Sequence, residues 1–283
     1  MSAVATIACT EDHISKRNFD QLSRFIYDYS GIKMPPTKLT MLEGRLRRRL
    51  RATGISSFDN YCDYLFKHDG LETEKVFLID AVTTNKTDFF REPNHFTYLR
   101  EQALPRLAAR DTRRFRIWSS ACSTGAEPYT IAMVLDDFTS GGQQQNYSIL
   151  ATDLSTDVLQ TAHRGIYSGD MVAPVPPEYL QRYVMRPRDA HRREVRIHPD
   201  LRSRVGFARL NLMDPSYSVG EPMHIIFCRN VLIYFDKPTQ QRVLSRLIDC
   251  LVPGGYLFIG HSETVSGLDL PIRQVANTVF EKV

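Results

Sequence analysis

No apolar run in this chain of 283 residues approaches the roughly 20 residues that span a bilayer, so a membrane-crossing helix is not expected. The start, MSAVATIACTEDH, has neither a basic opening nor a long apolar segment, so no secretory signal is expected. Cysteine is scarce: Cys9, Cys62, Cys122, Cys228 and Cys250 are odd in number and form no Cys-x-x-Cys pair. That argues against a disulfide framework or a zinc site, and for reduced thiols in a cytosolic, cytoplasmic protein. His163, His191, His198 and His261 share no metal-like spacing. They are read as surface or structural residues, and no metal is expected. The dinucleotide fingerprint G-x-G-x-x-G is also absent, which disfavours NAD and FAD. Net charge is only +4, so the chain is not basic as a whole, although arginine is concentrated in two places.

What is present is helical first and alternating afterwards. FDQLSRFIYDYSGI has apolar residues at helical spacing and stops at Gly31. KLTMLEGRLRRRLRATGI is a second helix that stops at Gly54, and SFDNYCDYLF continues helically from a serine cap. These features predict a helical N-terminal domain over 14–80 and a linker helix region over 81–110. From about Phe115, strands such as FRIWSS, YSILATDL, HIIFCRN and GGYLFIG alternate with helices such as AEPYTIAMVLDDF and KPTQQRVLSRLIDCL. Such alternation predicts an α/β domain over 111–283, built on a doubly wound parallel sheet. Residues 171–205 break the rhythm with prolines, arginines and the alternating EVRIH, and are read as an inserted antiparallel β-subdomain.

The turn SACSTGAEP follows the first strand of that domain, where doubly wound sheets bind ligands. Its small residues would let backbone approach a ligand closely. Asp153 ends the next strand, in LATDL, where a carboxylate can accept from ribose hydroxyls. A ribose acceptor without a phosphate cradle suits S-adenosylmethionine. Plainer readings stand beside this one. Gly125 could belong to an ordinary helix-start turn, Asp153 could cap the helix near Ser155, and Glu127 could complement a helix dipole.

TTNKTDFFREPNHF, STGAEPYTIAM, ATDLS, RGIYS, ARLNLMDP and IFCRNVLIYFDKPTQ, taken in this order, resemble the CheR family. These are S-adenosylmethionine-dependent methyltransferases that esterify glutamate side chains on bacterial chemotaxis receptors. The resemblance runs from about residue 14 to the end. It implies a small all-helical N-terminal domain that binds the receptor, a methyltransferase sheet and a β-subdomain inserted in it. It also implies that Asn85, Thr87, Arg91, Glu127, Asp153, Asn211, Leu212, Arg229 and Asn230 hold the cofactor, with Arg91 and Tyr234 catalytic beside the transferred methyl. On the residues alone, Phe89 and Phe90 read as core, Asn230 as a cap and Tyr234 as a buried tyrosine with its hydroxyl satisfied.

The implied reaction needs no general base. A glutamate carboxylate, with a pKa of about 4.3, is ionised at neutral pH. Alignment is the main task, bringing the acceptor oxygen to about 3–3.5 Å from the methyl carbon. The absence of a Ser-His-Asp set is consistent with this.

The second helix carries Leu39, Leu42, Leu46 and Leu50 as one stripe, with Arg45, Arg47, Arg48, Arg49 and Arg51 over the rest. A solvated face is the plain reading and nucleic acid is another. The resemblance favours the acidic helices of methyl-accepting chemotaxis receptors, with Arg45, Arg48 and Arg49 as contacts and no nucleic acid partner. The second cluster, RPRDAHRREVRIHPDLRSR, falls in the β-subdomain. By resemblance this element can add a receptor's C-terminal peptide as a strand, and a basic edge at Arg193, Glu194 and Arg196 could equally protect against aggregation. A monomer is expected. The alternatives are an RNA methyltransferase and a cofactor-sensing adaptor of the same fold.

Overall fold

The computed structural model describes residues 12–110, 112–140, 145–189 and 191–283; Cys9 lies outside them. The chain divides into two compact units, Met1–Thr83 and Thr84–Val283.

The first unit is helical. In α1 (Lys16–Ser30), the Ser15 hydroxyl accepts from the Asn18 N–H at the start, and Phe19, Leu22 and Ile26 form the buried stripe. α2 (Leu39–Thr53) buries Leu42, Leu46 and Leu50, and α3 (Phe58–Lys67) starts on the Ser57 cap. α4 (Leu71–Val82) closes the unit. Two carboxylates are buried among these helices. Glu43 accepts from the Ile14 N–H at 2.9 Å, and Glu74 accepts from the Tyr61 hydroxyl at 2.9 Å.

The interval 81–110 is not one helix. α4 ends at Val82, residues 83–93 are irregular, and helix resumes as α5 (Asn94–Tyr98), a π-helical turn (Leu99–Ala103) and α6 (Leu104–Ala108). Pro93 accounts for the last residue of this stretch, since the residue before a proline is pushed out of the helical region, and helix resumes after it. Phe89 is buried and Phe90 packs against the same core.

The second unit is built on a seven-stranded sheet. In chain order its elements begin with β1 (Arg114–Ser119), α7 (Ala126–Ser140), β2 (Asn146–Asp153) and α8 (Thr156–Arg164). The insert follows: β3 (Ile166–Ser168), α9 (Pro177–Tyr183), β4 (Val184–Met185), β5 (Glu194–Ile197) and α10 (Pro199–Arg202). The chain then returns through β6 (Val205–Arg209), β7 (Met223–Cys228), α11 (Lys237–Asp249), β8 (Leu251–Ile259), β9 (Ile272–Ala276) and β10 (Val279–Lys282). The large sheet has the order β6-β2-β1-β7-β8-β10-β9; its first five strands are parallel and the last two form an antiparallel hairpin. Side chains alternate between two cores: Ile117, Ile225, Phe227 and Phe258 on one face, Trp118, Ile226, Cys228 and Leu257 on the other. Burial on both faces is why these strands read as continuous apolar runs.

The small sheet has the order β3-β5-β4 and begins at Ile166, upstream of the 171 expected from composition. Its basic strand is not an edge. Arg196 pairs with Ile166 on one side and Met185 on the other, so β5 is central and the edges are β3 and β4.

Candidate functional site

The sheet reverses its winding between β1 and β7, and ligands bind outside the carboxyl ends of strands at such a point. The ends gathered there are Ser119, Asp153, Cys228 and Ile259.

Two segments close over these ends. The first is the irregular stretch that carries Asn85, Thr87 and Arg91. The Ser123 hydroxyl donates to the Asn85 carbonyl at 2.7 Å, and the Ser123 N–H donates to Asp153 Oδ2 at 2.8 Å. One serine thereby ties the segment to the turn after β1 and to the end of β2. Thr87 is half-buried on the same segment, and the Arg91 guanidinium donates to the Lys86 carbonyl at 3.1 Å. The second segment is the loop 229–234 after β7. It carries Arg229, Asn230 and, in a 3-10 turn, Tyr234, which is half-buried.

Arg229 joins the two segments. Its guanidinium lies 3.0 Å from Glu127 at the start of α7 and 3.0 Å from Glu92, and it donates to the Arg91 carbonyl. Its side chain is 2% exposed and stacks over the Phe96 ring. The Ser119 hydroxyl takes the other Glu127 oxygen at 2.7 Å. Burial, the largest influence, raises the Glu127 pKa against the opposing charge of Arg229. Burial acts upward on Glu92 too. There the Arg229 charge and the hydrogen bonds from Asn230, Arg229 and His261 prevail and hold it at about 2. Asn230 donates its side-chain amide to Glu92 at 3.1 Å.

Asn211 and Leu212 follow β6 beside Asp153, whose carbonyl accepts from the Leu210 N–H at 3.0 Å. The Asn211 side chain accepts from the Met213 N–H and shapes this turn, while Leu212 is buried. Asp153 also accepts at 3.0 Å from the N–H of Ser155, the residue before α8, in an Asx-type turn rather than a bond into the helix itself. Arg45, Arg48 and Arg49 belong to the other compact unit.

The reason for Gly125 differs from the expected one. A side chain there would meet Ala162 at 2.8 Å and the Tyr167 hydroxyl at 2.9 Å, and its φ is +92°. The space beside Gly125 is filled by protein, so packing and turn shape already require a glycine here. Strain marks the site instead. Phe90, Glu92, Ser123 and Asn230 are four of the six described non-glycine residues with positive φ, and such strain tends to collect at functional sites.

Three residues of this network escaped sequence reading: Glu92, His95 and Glu263. His95 is 1% exposed, with Nε2 2.8 Å from the Thr278 hydroxyl and Nδ1 3.5 Å from Glu92. Burial, then the nearby Arg229 charge, lowers its pKa to about 4. Glu92, His95 and His261 bring ligand-type atoms within 4.8 Å of one another. The positive charge beside Glu92 is already the Arg229 guanidinium at 3.0 Å, so the grouping reads as an ion-pair network. Position in FFREP was the one signal for Glu92; Glu263 left none.

The donor set fits S-adenosylmethionine. Glu92 and Glu127 supply two carboxylates to the buried guanidinium of Arg229, and Asp153 and Glu263 accept from the backbone N–H groups of Ser123 and Asn230. The excess of carboxylates over guanidinium at the strand ends suits a cofactor that bears a sulfonium, an ammonium and ribose hydroxyls. Asp153 is locked by two N–H groups, Ser123 on Oδ2 and Ser155 on Oδ1.

Comparison with known proteins agrees with this geometry. The family described as "CheR methyltransferase, SAM binding domain" matches residues 85–280, and "CheR methyltransferase, all-alpha domain" matches residues 17–83. The chemotaxis protein methyltransferase of Escherichia coli is 40% identical, with 94% of this chain and 91% of the relative covered. That of Salmonella typhimurium is 41% identical, covering 94% and 90%. Chemotaxis protein methyltransferase 2 of Pseudomonas aeruginosa is 37% identical, covering 95% and 94%. Both halves of the chain are therefore accounted for by one family, and the chain belongs to the CheR methyltransferases, which use S-adenosylmethionine.

Proposed function

We propose that this chain methylates glutamate side-chain carboxylates on chemotaxis receptors, giving glutamyl methyl esters for sensory adaptation. The observation that carries the reading is the junction at Arg229, which draws the segments bearing Arg91 and Tyr234 together at the strand ends. When bound, S-adenosylmethionine supplies an activated methyl group and leaves as S-adenosylhomocysteine. Asp153, Asn211, Leu212, Asn85, Thr87, Arg229, Asn230 and the Glu127 region hold it. Glu127 does so indirectly, because its oxygens are engaged by Ser119 and Arg229. Arg91 and Tyr234 steer the acceptor carboxylate, which arrives ionised. Arg91 aligns rather than clamps it, since tight pairing would blunt the nucleophile.

Receptor docking falls to the exposed part of α2. Arg45 and Arg49 are committed inside their own unit, whereas Arg48 and Arg51 are exposed. This depletes the phosphate-binding stripe that an RNA methyltransferase would need. A receptor C-terminal peptide adding as a strand would pair with an edge of the small sheet, β3 or β4. We infer a cytoplasmic monomer; no described helix is long and apolar enough to cross a membrane.

The test is transfer of radiolabel from S-adenosylmethionine to membranes that contain chemoreceptors, followed by mild base. Base-labile label on a receptor supports carboxyl methylation. Clear cofactor binding without label refutes the receptor as acceptor.

A further inference from the structure

Glu263 is buried, 7% exposed, on the turn that follows β8. Its Oε2 accepts from the backbone N–H groups of Asn230 at 2.9 Å and Gly260 at 2.6 Å. Its Oε1 accepts from those of Leu232 at 2.7 Å and, more weakly, Ile233 at 3.4 Å. These bonds fill the roughly four acceptor positions of one carboxylate. Three of the donors belong to the loop that bears Asn230 and Tyr234.

The same loop is held by its carbonyls from the other side. Gln240 on α11 donates its amide to the carbonyls of Leu232 at 2.9 Å and Phe235 at 3.2 Å. The two turns also meet without room to spare. A side chain at Gly260 would lie 2.5 Å from Asn230 Nδ2, 2.8 Å from the Asn230 backbone nitrogen and 2.9 Å from Glu263 Oε2. Asn230 itself sits at φ +58°, a left-handed turn conformation that asparagine adopts more readily than most residues with a side chain. Glu263 offers the N–H groups of this loop an acceptor-only partner.

We propose that Glu263 is the positioning residue of this site: its carboxylate fixes the backbone from Asn230 to Ile233, and so sets Asn230 for the cofactor and Tyr234 for the acceptor. This rests on the roles proposed above for Asn230 and Tyr234. It acts through the loop and not by touching substrate. An amide in its place keeps one accepting oxygen and turns a donor toward N–H groups that need an acceptor.

The test is Glu263→Gln in the full chain, read by hydrogen exchange, by S-adenosylhomocysteine calorimetry and by turnover. Exchange at Asn230, Leu232 and Ile233 is expected to rise about tenfold or more, while the β7 amides keep their protection. S-adenosylhomocysteine affinity is expected to fall at least about fivefold. Turnover is expected to fall about tenfold, with the receptor KM within about threefold of wild type. Unchanged exchange in the loop overturns the proposal, and so does faster exchange with unchanged affinity and turnover. If Glu263→Gln does not fold, Gln240→Ala loosens the same turn from its carbonyl side and is judged by the same readouts. A wild-type chain that binds S-adenosylhomocysteine yet methylates no receptor refutes the proposed function; exchange and affinity then decide the role of Glu263.

Discussion

Arg229 and Glu127 face each other at 3.0 Å from the end of β7 and the start of α7, with 2% and 12% of their side chains exposed. A buried pair of this kind is held more by the cost of breaking it than by its net attraction. Arg229→Ala strands Glu127 and Glu92 together in the same pocket. Unfolding in urea is expected to show a loss of about 3–5 kcal/mol. Adding Glu127→Gln removes one stranded charge and is expected to restore about 1 kcal/mol or more. A double variant no more stable than Arg229→Ala would show that the charge of Glu127 is not what the arginine offsets.

Asp153 invites a sharper separation. As a mere turn former ahead of α8, its loss costs stability and nothing else. As the ribose acceptor, its loss costs affinity as well. Asp153→Asn keeps the shape and one accepting oxygen, enough for one of the N–H groups of Ser123 and Ser155, which in the native chain bond different oxygens. Calorimetry is expected to show S-adenosylhomocysteine binding weakened at least about tenfold, or 1.4 kcal/mol. The loss of stability is expected to stay near 1 kcal/mol. Unchanged affinity in a folded variant would leave Asp153 as a turn former alone.

These two sites were not equally legible. Asp153 and the turn at Gly125 are local features of strand–turn–helix units, so periodicity exposed them. The partners of Arg229 are not local: Glu92 is 137 residues away and Glu127 is 102. Glu263 reaches Asn230 across 33 residues and sits on a turn with no periodicity of its own. Nothing in a single sequence marks a carboxylate whose partners are backbone N–H groups, because every residue but proline carries one. The insert was read correctly as antiparallel β, but the place of its basic strand was missed. EVRIH read correctly as a strand, but pairing decides whether a strand is central, and β5 turned out to be flanked on both sides.

The arginines of α2 show the same limit and yield a prediction. Their spacing suggested one docking face. In the fold, Arg45 donates to the carbonyls of Val82 and Thr83 at the end of α4. Arg49 makes a two-pronged pair with the buried Glu74, at 2.7 and 2.9 Å, and stacks on Phe77. Arg48 is exposed. Arg48→Glu is therefore expected to lower receptor methylation with stability within about 0.5 kcal/mol of wild type. Arg49→Glu puts a second carboxylate against Glu74 and is expected to cost on the order of 3 kcal/mol. Thermal unfolding beside a methylation assay separates them. Equal stability losses would refute the division between a docking and a structural arginine.

His95 makes stability depend on pH with a definite sign. It is faced by Arg229, Glu92 and His261, and burial with the Arg229 charge keeps it neutral down to about pH 4. In the unfolded chain the same imidazole takes up its proton near pH 6.5. Between these values the unfolded state binds more protons, so His95 stabilises the fold fully above about pH 6.5 and progressively less as pH falls toward 4. Glu127 and Glu263, raised by burial, act in the opposite direction, so the total slope mixes signs. The comparison that isolates His95 is wild type against His95→Gln, unfolded in urea at several pH values from 7.5 to about 4.5. The variant is expected to start less stable, since it disturbs the contacts with Thr278 and Phe258, and then to close the gap as pH falls. A gap that stays constant across the range would mean that His95 titrates alike in the folded and unfolded states, and that Arg229 does not hold it neutral.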